Sequence, residues 1–168
     1  RDFHLPGRSP VFAANGICAT SHPLAAKVAV ETLEAGGNAV DAAVAGAVLL
    51  GLCEPQMTGI GGDCFVLLKP AGAERIVGLN GSGRAPAALD AAKLRVEGHE
   101  TMPLYHPHAV TVPGAVDAFD RLVTDWGKLG LARVLAPAIR YAEEGVPVAP
   151  RVAFDWARAE AHLSGGAR

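Results

Sequence analysis

GGNAVDAAVAGAVLLGLCEP, residues 36–55, is the stretch that decides the fold. From Ala39 to Cys53 its only charged side chain is Asp41. A helix that is apolar on all sides is normally buried, and Asn38 followed three positions later by Asp41 is typical of a capped helix N-terminus. At about fifteen residues it is too short to span a bilayer, which takes about twenty. Residues 36–55 therefore predict a helix at the centre of the core.

The residues before this helix predict a hairpin and a second helix. Residues 11–14 and 17–20 have the composition of short strands, and Asn15-Gly16 between them is a favoured tight-turn pair. Ser21 is predicted to cap the next helix, with Pro23 in its first turn. That helix is expected to end at the glycine pair that opens the central stretch.

The residues after it predict a second hairpin and then mostly helices. Strands are expected at 64–69 and 75–79, joined by a turn at 70–72. Further helices are predicted at 89–96, at 116–126, at 131–144 with an interruption or kink near Pro137, and from Pro150 onward, with a surface loop at 99–108 and a short strand at 109–112. Paired strands and runs of helices favour a single α+β domain over the 168 residues.

Composition excludes some partners. The net charge of -2, with mixed charges and only 5% aromatic residues, gives no basic surface for nucleic acid or an anionic membrane, so neither is expected as a partner. The cysteines at 18, 53 and 64 lack metal-ligand spacing and predict free, buried thiols. No signal peptide is visible, so a cytoplasmic location is favoured over a periplasmic one.

The glycine-rich loop at 59–62 invites comparison with a phosphate-binding loop. Such a loop follows a strand and opens a helix, whereas here a helix precedes and a strand follows. The loop's own sequence supplies no helix N-terminus that faces it, so a small domain that binds phosphate through it is the least favoured alternative. Asp63, which comes next, is expected to cap loop N–H groups.

Two other motifs give no complete catalytic set. Gly-Ser-Gly at 81–83 lacks the G-x-S-x-G spacing of a nucleophile elbow, so Ser82 is not expected to be a nucleophile. His106 and His108 flank Pro107 without a thiol or carboxylate beside them in sequence, which favours a solvated loop over a metal site. No metal or cofactor is therefore expected.

Seven ordered segments resemble the N-terminal part of the large subunit in the gamma-glutamyltransferase (gamma-glutamyltranspeptidase) family. They are TSHPLA at 20–25, GGNAVDAA at 36–43, EP at 54–55, GIGG at 59–62, RAP at 84–86, VPG at 112–114 and LAPAI at 135–139. Residues 1–168 are accordingly expected to be the N-terminal part of such a large subunit.

This resemblance implies the αββα four-layer sandwich of the N-terminal-nucleophile (Ntn) hydrolases, completed by a small subunit cut from the same inactive precursor. In that family the nucleophile is the new N-terminal threonine of the small subunit, and its own α-amino group serves as general base. The threonines of this chain are all internal and it begins with Arg1, so no catalytic residue is expected in it. The implied partners are the small subunit and a small-molecule amide substrate.

The resemblance also identifies a substrate wall at Ser82, Gly83 and Arg84. Aligned on Ala85-Pro86, Ser82 stands where typical transpeptidases have an arginine that grips the α-carboxylate of the gamma-glutamyl group. A hydroxyl does not supply bidentate recognition of a carboxylate, which puts gamma-glutamyl preference in doubt and favours other small amides, such as oxamate or acylated amines. Arg84 either replaces the arginine or makes a structural ion pair.

Two other functions stay open. One is a true gamma-glutamyltransferase or glutathione hydrolase, and the other is a non-catalytic relative that kept the scaffold but lost self-cleavage. Residues 1–168 alone are expected to aggregate, because apolar surface meant for the partner would be bare.

Overall fold

The protein is described by a computed structural model that covers residues 10–163, with side-chain burial described as far as residue 160. In chain order its elements are α1 (Pro23–Glu34), α2 (Ala39–Cys53), β1 (Phe65–Leu68), β2 (Val77–Asn80), α3 (Ala91–Val96), a 3-10 turn (Pro107–Ala109), α4 (Ala115–Trp126), α5 (Leu131–Glu144) and α6 (Pro150–Leu163). One pair of strands among runs of helices confirms the α+β class.

Helix α2 lies at the centre of the core, as predicted. The Asn38 side chain accepts hydrogen bonds from the backbone N–H groups of Val40 at 2.9 Å and Asp41 at 3.1 Å. Asp41 Oδ2 accepts one from the N–H of Asn38 at 2.9 Å, which completes the capping box. Helices α1, α4 and α5 all pack against α2, and Ala45 and Leu49 are fully buried among them.

The cap of α2 also holds the connection between α4 and α5. Asp41, which is 0% exposed, accepts hydrogen bonds from the N–H groups of Lys128 at 2.9 Å and Leu129 at 3.3 Å. The side-chain amide of Asn38 donates to the carbonyl of Trp126 at 2.6 Å. Asn38 and Asp41 therefore fix the loop between α4 and α5, although Asn38 and Trp126 are 88 positions apart in the sequence.

The predicted second hairpin is confirmed, with strands slightly shorter than expected. Strands β1 and β2 are antiparallel, and Phe65 lies opposite Asn80. The turn between them contains Gly72 at φ +75°, a conformation that glycine adopts without strain. One face of the hairpin packs on the core, whereas Phe65 and Leu67 on the other face are 66% and 80% exposed.

The predicted first hairpin is wrong. Residues 11–14 and 17–20 form no strand, and Phe12 is 93% exposed. An isolated two-stranded hairpin has too little buried surface to be stable, so strand-like composition alone does not hold the segment together. The predicted strand at 109–112 is also wrong, because a 3-10 turn ends at Ala109 and residues 110–112 belong to no strand.

Some helix boundaries also differ from the prediction. Helix α1 is capped by His22, whose Nδ1 accepts from the N–H of Leu24 at 3.2 Å. Ser21, the predicted cap, instead donates its hydroxyl to Glu54 Oε2 at 2.7 Å. Helix α5 runs without interruption through Pro137.

The three cysteines are free, as predicted, although only Cys53 is fully buried and the other two are half-buried. Within the described residues no helix is both long enough and apolar enough to cross a membrane.

Candidate functional site

Three loops meet at one end of the hairpin and form a single surface. We call this surface the three-loop wall and define it as residues 59–63, 81–84 and 112–114. Cys64 and Gly81 exchange two backbone hydrogen bonds, with N–O distances of 3.4 and 2.7 Å, which extend the ladder beyond β1 and β2. The N–H of Val112 donates to the carbonyl of Arg84 at 3.0 Å. Backbone groups therefore join the loops before any side chain contributes.

Glycines allow these loops to approach so closely. A Cβ atom built on Gly83 would overlap the carbonyl oxygen of Val112, and one built on Gly114 would overlap the carbonyl oxygen of Gly81. Any side chain at 83 or 114 would therefore push two loops apart. Gly83, one of the three predicted wall residues, acts in this geometry as a packing element.

The N-terminus of α4, a helix that is distant in sequence, points at the loop 59–63. The N–H groups of Gly114 and Ala115 both donate to the carbonyl of Gly62, at 2.9 and 3.0 Å. These two helix N–H groups are therefore occupied by the protein's own backbone. The pairing depends on two segments about fifty residues apart in sequence coming together, which no local pattern reveals.

Ser82 and Arg84 lie on the exposed side of the wall. The backbone N–H of Ser82 donates to the Asn80 side chain at 2.9 Å, which fixes the loop as it leaves β2. Within the described residues the Arg84 guanidinium makes no ion pair, so the structural ion pair considered from the sequence is not seen there. The structure thus places the consecutive residues Ser82, Gly83 and Arg84 in the three-loop wall, with the first and last exposed. Their contact with substrate stays a prediction.

Asp63 is a wall residue whose role the sequence misassigned. It was expected to cap loop N–H groups, but its exposed carboxylate accepts no hydrogen bond within the described part of the chain. Asp63 directly precedes Cys64 and Ser82 directly follows Gly81, so the two residues flank the last backbone pair of the hairpin. Burial, and then the neighbouring Asp63 carboxylate, raise the pKa of the Cys64 thiol.

Three histidines lie close together in the loop that precedes residues 112–114 of the three-loop wall. The rings of His99 and His106 lie 5.5 Å apart and those of His106 and His108 lie 4.6 Å apart. His108 Nε2 is 3.9 Å from Glu97 Oε2. The sequence predicted a solvated loop and missed this clustering, yet among the residues described no three such side chains are placed to hold a metal ion.

Comparisons with known proteins agree with one another. A model of the gamma-glutamyltranspeptidase family matches residues 25–167. The glutathione hydrolase-like YwrD proenzyme of Bacillus subtilis is 38% identical over 139 residues, which are 82% of this chain and 26% of that protein. The oxamate amidohydrolase proenzyme of Klebsiella pneumoniae is 36% identical over 144 residues, covering 81% of this chain and 26% of the relative.

Solved structures give the same result for the fold. The cephalosporin acylase of Bacillus halodurans has a TM-score of 0.81 and 42% identity, and the match covers 99% of this chain and 32% of that one. A gamma-glutamyltranspeptidase from Pseudomonas nitroreducens has a TM-score of 0.82 and 34% identity, over 93% of this chain and 47% of that one. The Ntn-hydrolase fold expected from the sequence is confirmed. The chain spans about a quarter of the length of the curated relatives it matches.

Proposed function

The chain belongs to the gamma-glutamyltranspeptidase family, and on that basis we propose that the complete protein is an Ntn amidohydrolase. It is made as a precursor that cuts itself into a large and a small subunit, and residues 1–168 are the N-terminal part of the large one. The relatives described as proenzymes support this processing.

In the proposed reaction, the hydroxyl of the small subunit's N-terminal threonine attacks the amide carbonyl. The threonine α-amino group takes the hydroxyl proton and passes it to the departing amine, so the C–N bond breaks as the C–O bond of an acyl-enzyme forms. Water then attacks the ester, releases the carboxylic acid and restores the hydroxyl. The present chain contributes scaffold and one substrate wall to this chemistry, and no catalytic group.

The bare face of the hairpin supports the need for a partner. Phe65 and Leu67 project from it beside an open hollow of about 680 Å³ that also borders Gly78 and Asn80. Large apolar side chains on a sheet face are normally covered by another layer. We propose that segments of the same precursor, including the small subunit, supply that layer.

The residue at position 82 is proposed to determine which amide the enzyme prefers. The exposed Ser82 offers a hydroxyl where a gamma-glutamyl substrate would need a guanidinium, and losing one partner of such a charged pair typically costs about 2 to 5 kcal/mol. We therefore favour an amide other than gamma-glutamyl, of the oxamate or acyl-amide kind. The names of the Klebsiella relative and of the Bacillus halodurans structure support both kinds.

The test uses the full-length protein after self-cleavage. Hydrolysis of gamma-glutamyl-4-nitroanilide and of an oxalyl anilide is measured for the unaltered enzyme and for Ser82→Arg. The unaltered enzyme is expected to favour the oxalyl substrate, and Ser82→Arg to raise kcat/KM for the gamma-glutamyl one. Efficient gamma-glutamyl turnover by the unaltered enzyme would refute this preference.

The second candidate is a true gamma-glutamyltransferase, which the family match and the Pseudomonas nitroreducens structure favour. Efficient gamma-glutamyl turnover in the same assay would establish it. N-terminal sequencing of the small subunit separates both enzymes from a non-catalytic scaffold. A threonine there supports catalysis, and a full-length protein that stays uncut refutes it.

A further inference from the structure

Asp63 precedes the first paired residue of the hairpin, and Ser82 follows the last one on the other strand. Antiparallel pairing runs from Leu68 opposite Val77 to Cys64 opposite Gly81, and the same register extended by one position beyond these last hydrogen bonds would place Asp63 opposite Ser82. Side chains alternate between the two faces of a strand. Asp63 and Ser82 therefore share the bare face of the hairpin, at its end. Directly opposed residues have Cβ atoms about 4.5 to 5.5 Å apart, within reach of a common ligand.

The backbone holds Asp63 firmly from both sides. The residue before it, Gly62, accepts two hydrogen bonds from the start of α4, and the residue after it, Cys64, exchanges two with Gly81. The carboxylate itself is exposed and has no hydrogen-bond or ion-pair partner in the described part of the chain. A negative charge on a well-held stretch of backbone, without an ion-pair partner in the described residues, thus lies near position 82.

Resting on the proposed amidohydrolase function, we propose that Asp63 is a specificity-determining residue that selects the charge of the acyl group. It disfavours a carboxylate next to Ser82 and favours an acyl chain that ends there in an uncharged or ammonium group. Among acyl chains long enough for their far end to reach position 82, this selects neutral or amino-bearing ones. It also means that an arginine introduced at position 82 is shared between Asp63 and a substrate carboxylate, so it binds the substrate less strongly than it would beside an uncharged residue.

Three 4-nitroanilides isolate this effect in the full-length, self-cleaved enzyme. Pentanoyl, glutaryl and 5-aminopentanoyl groups have the same five-carbon chain and end in a methyl, a carboxylate or an ammonium group. Asp63→Asn keeps the shape and removes the charge. Charges about 7 Å apart at a partly solvated site interact strongly enough to change a rate by about three- to thirtyfold.

Asp63→Asn is expected to raise the glutaryl-to-pentanoyl ratio of kcat/KM by that factor and to lower the 5-aminopentanoyl-to-pentanoyl ratio. Asp120→Asn, an exposed change of the same charge on α4, is expected to leave both ratios unchanged. Ser82→Arg is expected to raise the glutaryl rate more in the Asp63→Asn background than alone. Ratios that Asp63→Asn leaves unchanged overturn the inference.

Binding of the product acids separates this inference from the proposed reaction. If the full-length protein hydrolyses none of the three anilides and neither of the two substrates of the earlier assay, the proposed function fails. Calorimetric titration with pentanoate, glutarate and 5-aminopentanoate then decides on Asp63 alone. Tighter glutarate binding by Asp63→Asn, relative to pentanoate, supports the inference, whereas an unchanged ratio or no binding of any acid overturns it.

Discussion

Replacing Asp41 tests whether the capped start of α2 organises the core. Its two carboxylate oxygens accept from three backbone N–H groups: Oδ2 from Asn38 and Lys128, both at 2.9 Å, and Oδ1 from Leu129 at 3.3 Å. Asp41→Asn keeps the volume but leaves one oxygen acceptor and turns an NH₂ group toward an N–H donor. Asp41→Ala removes all three acceptor contacts.

The expected loss follows from these contacts. A hydrogen bond to a charged group contributes about 1.5 to 3 kcal/mol, and a buried donor left without a partner carries its own desolvation cost. Lys128 is exposed, so its N–H regains water and the full sum does not apply. We expect Asp41→Asn to lower the free energy of unfolding by about 2 kcal/mol and Asp41→Ala by about 4 kcal/mol, since one loses part and the other all of the acceptor set.

The measurement combines urea unfolding of the full-length enzyme with amide hydrogen exchange at Lys128 and Leu129. Both variants are expected to lower the unfolding midpoint and to speed exchange at these two amides. Asp120→Ala, an exposed change on α4, is the control and is expected to shift stability by no more than about 0.5 kcal/mol. Asp41→Ala within the same limit, with exchange at 128 and 129 unaltered, would refute the organising role of this carboxylate.

The remaining predictions concern the three-loop wall. Gly83→Ala is expected to lower the free energy of unfolding by about 2 kcal/mol, because the new Cβ meets the Val112 carbonyl. Gly59→Ala, where the new Cβ has open space, is the control and is expected to change the free energy of unfolding by no more than about 0.5 kcal/mol. Equal urea midpoints for the two variants would contradict the close packing. Cys64 is expected to react with iodoacetamide more slowly at pH 8 than an ordinary thiol, because a raised pKa leaves less thiolate, and Asp63→Asn is expected to speed the reaction. Mass spectrometry of the Cys64 peptide checks this, and an alkylation midpoint at or below the usual thiol pKa would count against it.

Local signals in the sequence predicted the elements that carry their own stabilisation. Helix α2 has an apolar surface, an N-cap and an N3 carboxylate within one short stretch, so it could be located to within a few residues. The hairpin of β1 and β2 could also be predicted from the sequence, because its turn and both strands are adjacent in the chain. The segment 11–20 failed because its composition describes a strand without saying what the strand pairs with.

The site required contacts that sequence patterns do not encode. Resemblance predicted a substrate contact for Ser82 and Arg84, but the role proposed for Asp63 depends on the hairpin register, where a shift of one residue would turn its side chain to the other face. The approach of α4 to Gly62 likewise joins segments far apart in the chain. Such long-range pairings are fixed by the whole fold, so they become visible only in the structure.

The wall separates the groups that hold it together from the groups that would meet a substrate. Its loops are joined by backbone hydrogen bonds and glycine contacts, in which the side chains of Asp63, Ser82 and Arg84 take no part. Substitutions at these three positions leave the backbone bonds intact, so they are expected to change substrate preference while the unfolding midpoint stays constant. Changes at Gly83 or Asp41 act on the supporting contacts and are expected to lower stability first. If the proposed function holds, we therefore expect the same scaffold to accept different acyl groups through changes at a few exposed positions.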